Sequence, residues 1–200
     1  MPKFSIIMPA HNAEEYIRKA LDSVLIQTFT DYELIVICDA CSDRTAEIAK
    51  EYTDKVLVVN YANPGPTRSY GLDHAVGEYV LFMDDDDWWM HEFVLEQINE
   101  KLSGEDLLCF AFIWKGRGYA SPDRGGGVLW PAVWNKCWKR EAIGDTRFPA
   151  AYPDDLLFHM AMMDKLMVIT YWEMPLYYYN YWRDGSISTQ KEPDLRERKL

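Results

Sequence analysis

The sequence predicts an α/β fold, a mostly parallel sheet flanked by helices and continued by an aromatic-rich C-terminal portion. In the first half of the chain, short apolar runs alternate with helix-length amphipathic segments. Strands joined through helices imply right-handed βαβ units, and such units make a parallel sheet. The polar residues of chemical interest also fall just after the apolar runs, where ligands of such sheets bind.

Phe4 to Met8 reads as a buried strand closed by Pro9. Asn12, with Glu15 three residues on, reads as a capping box for a helix whose apolar stripe includes Ile17, Ala20, Leu21 and Val24. Leu34 to Cys38 is a second strand, followed by a helix from Arg44 to Tyr52. Val56 to Val59 is a third strand, Pro66 to Ala75 a helix, and Tyr79 to Met83 a fourth strand. His11 and Asn12, Asp39, Asn63, and Asp84 to Asp87 follow these strands in turn. Further on, Leu107 to Trp114 reads as a strand and GRGYASPDRGGG as a flexible loop. No repeat and no linker divides the chain, so one domain over 1–200 is expected.

An apolar fraction of 48% is that of an ordinary globular protein. The net charge of −11 argues against nucleic acid or an anionic membrane as the main partner. No apolar run reaches the length of a membrane span, and MPKFSIIMPAHN lacks the form of a signal peptide. The 4 cysteines are too sparse for a disulfide scaffold, so a cytoplasmic setting is expected. Cys38-x-x-Cys41 has the spacing of a redox pair or half a zinc site, but Cys109 and Cys137 supply no second pair. The simpler reading makes Cys38 a buried strand end and Cys41 a loop filler.

LFMDDDDWW poses the sharpest question, because carboxylates about 4 Å apart repel by roughly 4 kcal/mol at an effective dielectric near 20. On an extended backbone Asp84 and Asp86 share one face and Asp85 and Asp87 the other. Asp84 and Asp86 then make a pair for one hard divalent cation, Mg²⁺ or Mn²⁺, shared with substrate phosphates. Trp88 and Trp89 would wall that pocket. An EF-hand is disfavoured, since Trp88 and Met90 stand where oxygen donors are needed. Asp154-Asp155 reads either as a second carboxylate site or as a cap for the helix that begins near Leu156.

These residues carry a family resemblance. SIIMPAHN, SVLIQT and ICDACSDRT resemble the opening of family 2 glycosyltransferases, with its S-I-I-I-P-x-Y-N, S-V-L-x-Q-T and V-D-D-G-S-x-D. GPTRSYGLDHAVGEYVLFMDDDDWW resembles the family's A-R-N-x-G helix and the strand into D-x-D-D. WNKCWKRE, RFPAAYPDDLLF and YYYNYWRDGSIS resemble its N-K-x-x-x-R, its R-F-P with an acidic E-D-x-x-F, and its Y-x-Y-x-x-R-x-x-S-I-S.

The resemblance implies a GT-A type, Rossmann-like fold and inverting, metal-assisted transfer from a nucleotide-diphosphate sugar, most readily a UDP-sugar. The acceptor would be a glycan, a lipid-linked molecule met at the membrane periphery, or a protein. Residues 1–90 would bind the nucleotide sugar, and 91–200 would carry the acceptor site and the base. Pro9, His11, Asn12, Asp39, Arg68, Asp84, Asp85 and Arg183 would line the nucleotide site, with Asp39 bonding the base and Arg183 meeting the pyrophosphate. Asp86 with Asp84 would bind Mn²⁺ or Mg²⁺, and Asp155 with Asp154 beside it would be the catalytic base.

The departures are Cys38, Ala40 and Cys41 in place of the first Asp, the Gly and the Ser of V-D-D-G-S, His11 for Tyr, and Ser69 for the Asn of A-R-N. They bear on nucleotide identity more than on reaction type. A nucleotidyltransferase lacks support, because MPAHNAEEY stands where a Gly-rich phosphate loop with lysine belongs. A nucleotide-sugar binding protein without turnover, or a partner subunit, remains the alternative from another class.

Overall fold

The structure is a computed structural model that describes residues 1–125 and 129–181. Four parallel strands form its first part: β1 (Phe4–Ala10), β2 (Tyr32–Asp39), β3 (Val56–Val59) and β4 (Tyr79–Phe82), in the order β3-β2-β1-β4. The helices between them are α1 (Ile17–Leu25), α2 (Thr45–Ala49) and α3 (Pro64–His74). The second part adds β5 (Trp88–Trp89), α4 (Val94–Lys101), β6 (Leu107–Trp114), β7 (Gly118–Ala120), β8 (Lys136–Lys139), α5 (Arg140–Ile143), α6 (Asp154–Met163) and β9 (Ile169–Tyr179).

One sheet runs through both parts. β8 lies antiparallel between β4 and β6, β9 runs parallel to β6, and β5 closes the edge antiparallel to β9. The sheet is thus parallel in its first part and mixed in its second.

Alternation along the strands builds a core on each face, as the period-two geometry of a strand requires. Phe4, Ile6 and Met8 of β1 pack with α1, α2 and α4, whereas Ile7 packs with Leu72 of α3, Ile143 of α5 and Phe158 of α6. Burying strands on both faces explains their near-continuous apolar runs. Pro9 falls where its missing N–H costs least. Ile7 still accepts from the Met83 N–H on the β4 side, but β4 has ended by Pro9, which faces the same side. Gly71 brings α3 against the sheet, since a Cβ there would stand 2.5 Å from Ile7 and 2.9 Å from Ile37.

Three local expectations change. Asn12 caps no helix: α1 begins at Ile17, Asn12 has φ +45°, and its Oδ1 accepts from the Ser42 N–H at 2.8 Å. A tertiary partner in the loop after β2 has displaced the local cap. The GRGYASPDRGGG segment begins as a hairpin rather than a loop, with β7 paired to β6 across Gly116 and Gly118 at positive φ. Asp154 and Asp155 sit inside the first turn of α6, with Pro153 at the N-cap, so neither is the cap.

Candidate active site

The carboxyl ends of β1, β2 and β4 meet the starts of α3 and α6, and their polar side chains converge on Arg68. Arg68 is 7% exposed. Its Nη1 donates to Asp154 at 2.7 Å and its Nη2 to Asp84 at 3.0 Å, while Nη1 lies 3.2 Å from Asp155 Oδ1. One guanidinium therefore ties the acidic turn after β4 to the start of α6, where Asp154 lies 86 residues beyond Arg68 in sequence. Gly65 makes the approach possible, because a Cβ there would collide with the Pro149 carbonyl beside Asp154. Arg68 Nε is a buried donor with no acceptor among the described residues.

Asp155 is the most perturbed carboxyl of this group. Burial pushes it up, the Arg68 charge opposes that, and Asp154 and Asp84 push it further, to about 7. Its Oδ1 is buried and accepts no hydrogen bond, so the nearby Nη1 is a charge contact without hydrogen-bond geometry. A carboxyl that titrates near neutrality with an unused acceptor oxygen suits proton abstraction.

The four aspartates of LFMDDDDWW make a turn between β4 and β5, not an extended run. The Asp87 N–H donates to the Asp84 carbonyl at 3.3 Å, yet burial still alternates as the sequence pairs them, with Asp85 and Asp87 buried and Asp84 and Asp86 half-buried. The four aspartates separate by partner. Asp84 pairs with Arg68. Asp85 is buried and accepts from the His11 N–H at 3.0 Å, tying the turn to the end of β1. Asp86 is half-buried at the turn. Asp87 is fully buried, accepting from the Tyr177 hydroxyl at 2.7 Å and the Asn180 N–H at 2.7 Å. The same Tyr177 hydroxyl accepts from the Asp84 N–H at 3.1 Å. Burial, with the charges of Asp86 and Asp84, raises Asp87 well above the usual carboxylate range.

Trp88 and Trp89 do not wall a pocket together. They form β5, where Trp89 is core and Trp88 stacks on Tyr178 with centroids 4.1 Å apart. Pairing with β9 outcompetes exposure at the strand ends.

Asp39 accepts from the N–H groups of Tyr61, Ala62 and Asn63 at 2.7, 2.8 and 2.9 Å and from the Thr67 hydroxyl at 2.6 Å. Burial raises its carboxyl, but Thr67 and the three N–H groups outweigh that and hold it below the usual range. A carboxylate has about four acceptor positions, and here each oxygen serves two protein donors. A base N–H reaching Asp39 would have to displace one of them. His11 Nδ1 contacts the Asp39 carbonyl at 2.6 Å, and Pro9 lies half-buried in β1 beside them. Arg183 and Trp182 lie outside the described residues.

One residue at the site was assigned no role from sequence. Lys136 is fully buried, and its ammonium donates to the Trp130 and Ala132 carbonyls and to Asn135 Oδ1 at 2.9, 2.6 and 2.6 Å. Burial lowers it to about 8, with the Cys109 and Asp155 charges opposing. The N-K of WNKCWKRE was its only signal. Of the aromatics in the second half, Trp134, Trp138 and Tyr177 are core, while Trp130 and Trp172 are partly buried against it.

Among the described residues no group of three or more His, Cys, Asp or Glu side chains is arranged to hold a metal. Asp84 and Asp86 offer a smaller set of hard oxygens, which fits a cation that brings phosphate ligands of its own. The unpaired Arg68 Nε beside them fits an anionic ligand at the same place.

Fold and site together define a GT-A type arrangement. A profile described as glycosyl transferase family 2 matches residues 5–151. The chain is 31% identical over 152 residues to an uncharacterized glycosyltransferase of Rickettsia typhi, covering 74% of this chain and 46% of that protein. It is 40% identical over 96 residues to the poly(ribitol-phosphate) beta-N-acetylglucosaminyltransferase TarS of Staphylococcus aureus, covering 44% of this chain and 17% of TarS. The crystal structure of TarS 1-349 in complex with UDP-GlcNAc superposes with a TM-score of 0.79 at 26% identity, covering 92% of this chain and 60% of that one. Glucosyl-3-phosphoglycerate synthase from Mycobacterium tuberculosis, solved with Mg²⁺ and UDP, shares the fold, with a TM-score of 0.68 at 21% identity over 94% of this chain and 74% of its own. The chain belongs to glycosyl transferase family 2. It spans less than half of each of these two curated relatives. Among the described residues, no helix is long and apolar enough to cross a membrane.

Proposed function

We propose that the chain transfers a sugar from a nucleotide-diphosphate sugar to an acceptor hydroxyl, with inversion and with Asp155 as general base. The observation that carries this reading is the Arg68 cluster, which joins a cation-type carboxylate pair to a carboxyl poised near neutrality. The acceptor oxygen bonds to the anomeric carbon from one side as the bond to the diphosphate oxygen breaks on the other. The hydroxyl proton passes to Asp155, a step worth typically 10²–10⁴-fold. Asp84 and Asp86 would hold Mn²⁺ or Mg²⁺, which when bound offsets charge on the leaving diphosphate. Asp154 orients Arg68, and Arg68 offers its free Nε to the phosphates.

Asp39 serves the base by holding Tyr61 to Asn63 over the strand ends, and Pro9, His11, Asn12 and Asp85 shape the same side. UDP is the favoured nucleotide because TarS binds UDP-GlcNAc at 26% identity. The acceptor is a hydroxyl of a glycan, a lipid-linked molecule or a protein. Calorimetric titration with a panel of nucleotide sugars, with and without Mn²⁺, tests the reading. A UDP-sugar should bind in the presence of Mn²⁺ and lose affinity on chelation. Tight binding indifferent to chelator would sink the cation assignment, and no binding by any nucleotide sugar would sink the whole reading.

A further inference from the structure

Cys38 is the last residue but one of β2, and Cys41 follows beyond Ala40, which holds φ +49°. That reversal turns Cys41 back against the strand ends. Its Sγ donates to the Ala10 carbonyl at 3.4 Å, and Ala10 stands opposite Cys38 in the β1–β2 ladder. Both side chains pack into the same core cluster on one face of the sheet. Cys38 is buried and Cys41 is partly exposed, whereas Cys109 and Cys137 are buried singly.

We propose that Cys38 and Cys41 form a reversible dithiol–disulfide pair, closed by peroxide, whose closure weakens nucleotide binding. The last clause rests on the nucleotide reading above; the dithiol chemistry does not.

Cys41 is the attacking group. The neighbouring Cys38 thiol lowers it, burial opposes, the Asn12 backbone and the His11 charge help, and the result is about 7. A thiol in that range is thiolate for roughly half the time at neutral pH. The Cys41 sulfur attacks the O–O bond of hydrogen peroxide and takes one OH as a sulfenic acid, and the other oxygen leaves as water. The Cys38 sulfur then attacks Cys41, the S–S bond forms, the S–OH bond breaks, and that OH leaves with the Cys38 proton as a second water. Two thiols and one peroxide give one disulfide and two waters. A dithiol reductant reverses the step by exchange.

Closure reaches the site through the segment between the cysteines. A disulfide leaves Cys41 no S–H to donate, so closing the bond at about 2 Å ends its hydrogen bond to the Ala10 carbonyl. The Asp39 carbonyl receives His11, and Ser42 donates to Asn12 through its N–H and hydroxyl. Moving residues 39–42 loosens both links, and with them the His11–Asn12 wall.

The test uses the whole chain, reduced, then treated with hydrogen peroxide at neutral pH, alkylated with iodoacetamide and digested with trypsin. Both cysteines lie on the peptide 20–44. That peptide should appear unalkylated and lighter by two hydrogens, and dithiothreitol should restore it. Cys38→Ser should stop at a sulfenic acid on Cys41 that dimedone traps. Calorimetry with UDP and Mn²⁺ should show at least about tenfold weaker binding, ~1.4 kcal/mol, for the oxidised chain. Cys41→Ser should bind as the reduced chain does and ignore peroxide. Over-oxidised Cys41 beside an alkylatable Cys38, or bridges between chains only, would overturn the dithiol pair. Equal UDP affinity in both redox states would overturn the coupling. If the reduced chain binds no UDP, the nucleotide reading and the coupling fall together, and the peptide mass alone decides the pair.

Discussion

Asp87 and Asp155 are both aspartates at the strand-end rim with pKa values pushed upward, yet the structure uses them oppositely. Asp87 is enclosed by its own turn and by β9, and both of its oxygens receive protein donors. Asp155 opens on the Arg68 cluster and keeps one oxygen without a hydrogen bond. Burial is the first cause of both shifts, so the shift alone does not mark a reactive group. What separates them is satisfaction of their oxygens. A filled carboxyl anchors the turn, and an unfilled one is available to a proton from outside.

The largest effect that would test this contrast is on rate. Asp155→Asn should lower release of UDP from the nucleotide sugar by about 10²–10⁴-fold while leaving nucleotide affinity intact. A rate equal to wild type would remove Asp155 from the chemistry. In wild type the rate should climb with pH through about 7, where Asp155 loses its proton. Next in size is Arg68→Met, which leaves Asp84, Asp154 and Asp155 without their shared cation and should cost about 3–5 kcal/mol in urea unfolding.

Asp87→Asn should act on stability instead of chemistry. An amide cannot accept at both positions, so one donor faces another, at a cost of about 1–3 kcal/mol. A larger loss of rate than Asp155→Asn shows would erase the distinction. Asp155→Asn should go the other way. The folded pKa of Asp155 lies above its usual 3.8, so the folded state holds the extra proton between 3.8 and about 7. Stability from this group is therefore present below 3.8 and lost as pH rises through about 7. The asparagine variant should flatten that loss in denaturation curves taken across the same window. Smallest is Tyr177→Phe, which removes the hydroxyl joining Asp84 to Asp87 and should cost roughly 1 kcal/mol.

Legibility followed range. β1, β3 and β6 fall where the apolar runs place them, because alternation and burial act over a few residues. The family resemblance extended through motifs in the second half, including the pair now at the start of α6. Asn12 departs from its local reading because it gains a partner distant in sequence, Ser42, and the extended backbone expected at Asp84–Asp87 is a turn whose Asp87 is held by Tyr177 and Asn180.

The sequence by itself determined the βα alternation, the polar residues at the strand ends and the two acidic groups, since these are properties of near neighbours. Only the tertiary structure decided that β8 enters between β4 and β6, that Arg68 binds carboxylates from both halves, and that four adjacent aspartates have four different surroundings. The physical reason is that a carboxyl's role depends on which donors surround it and how much water is removed. In this chain those donors come from the residue after β1, from α3 and from β9, segments that only folding brings together.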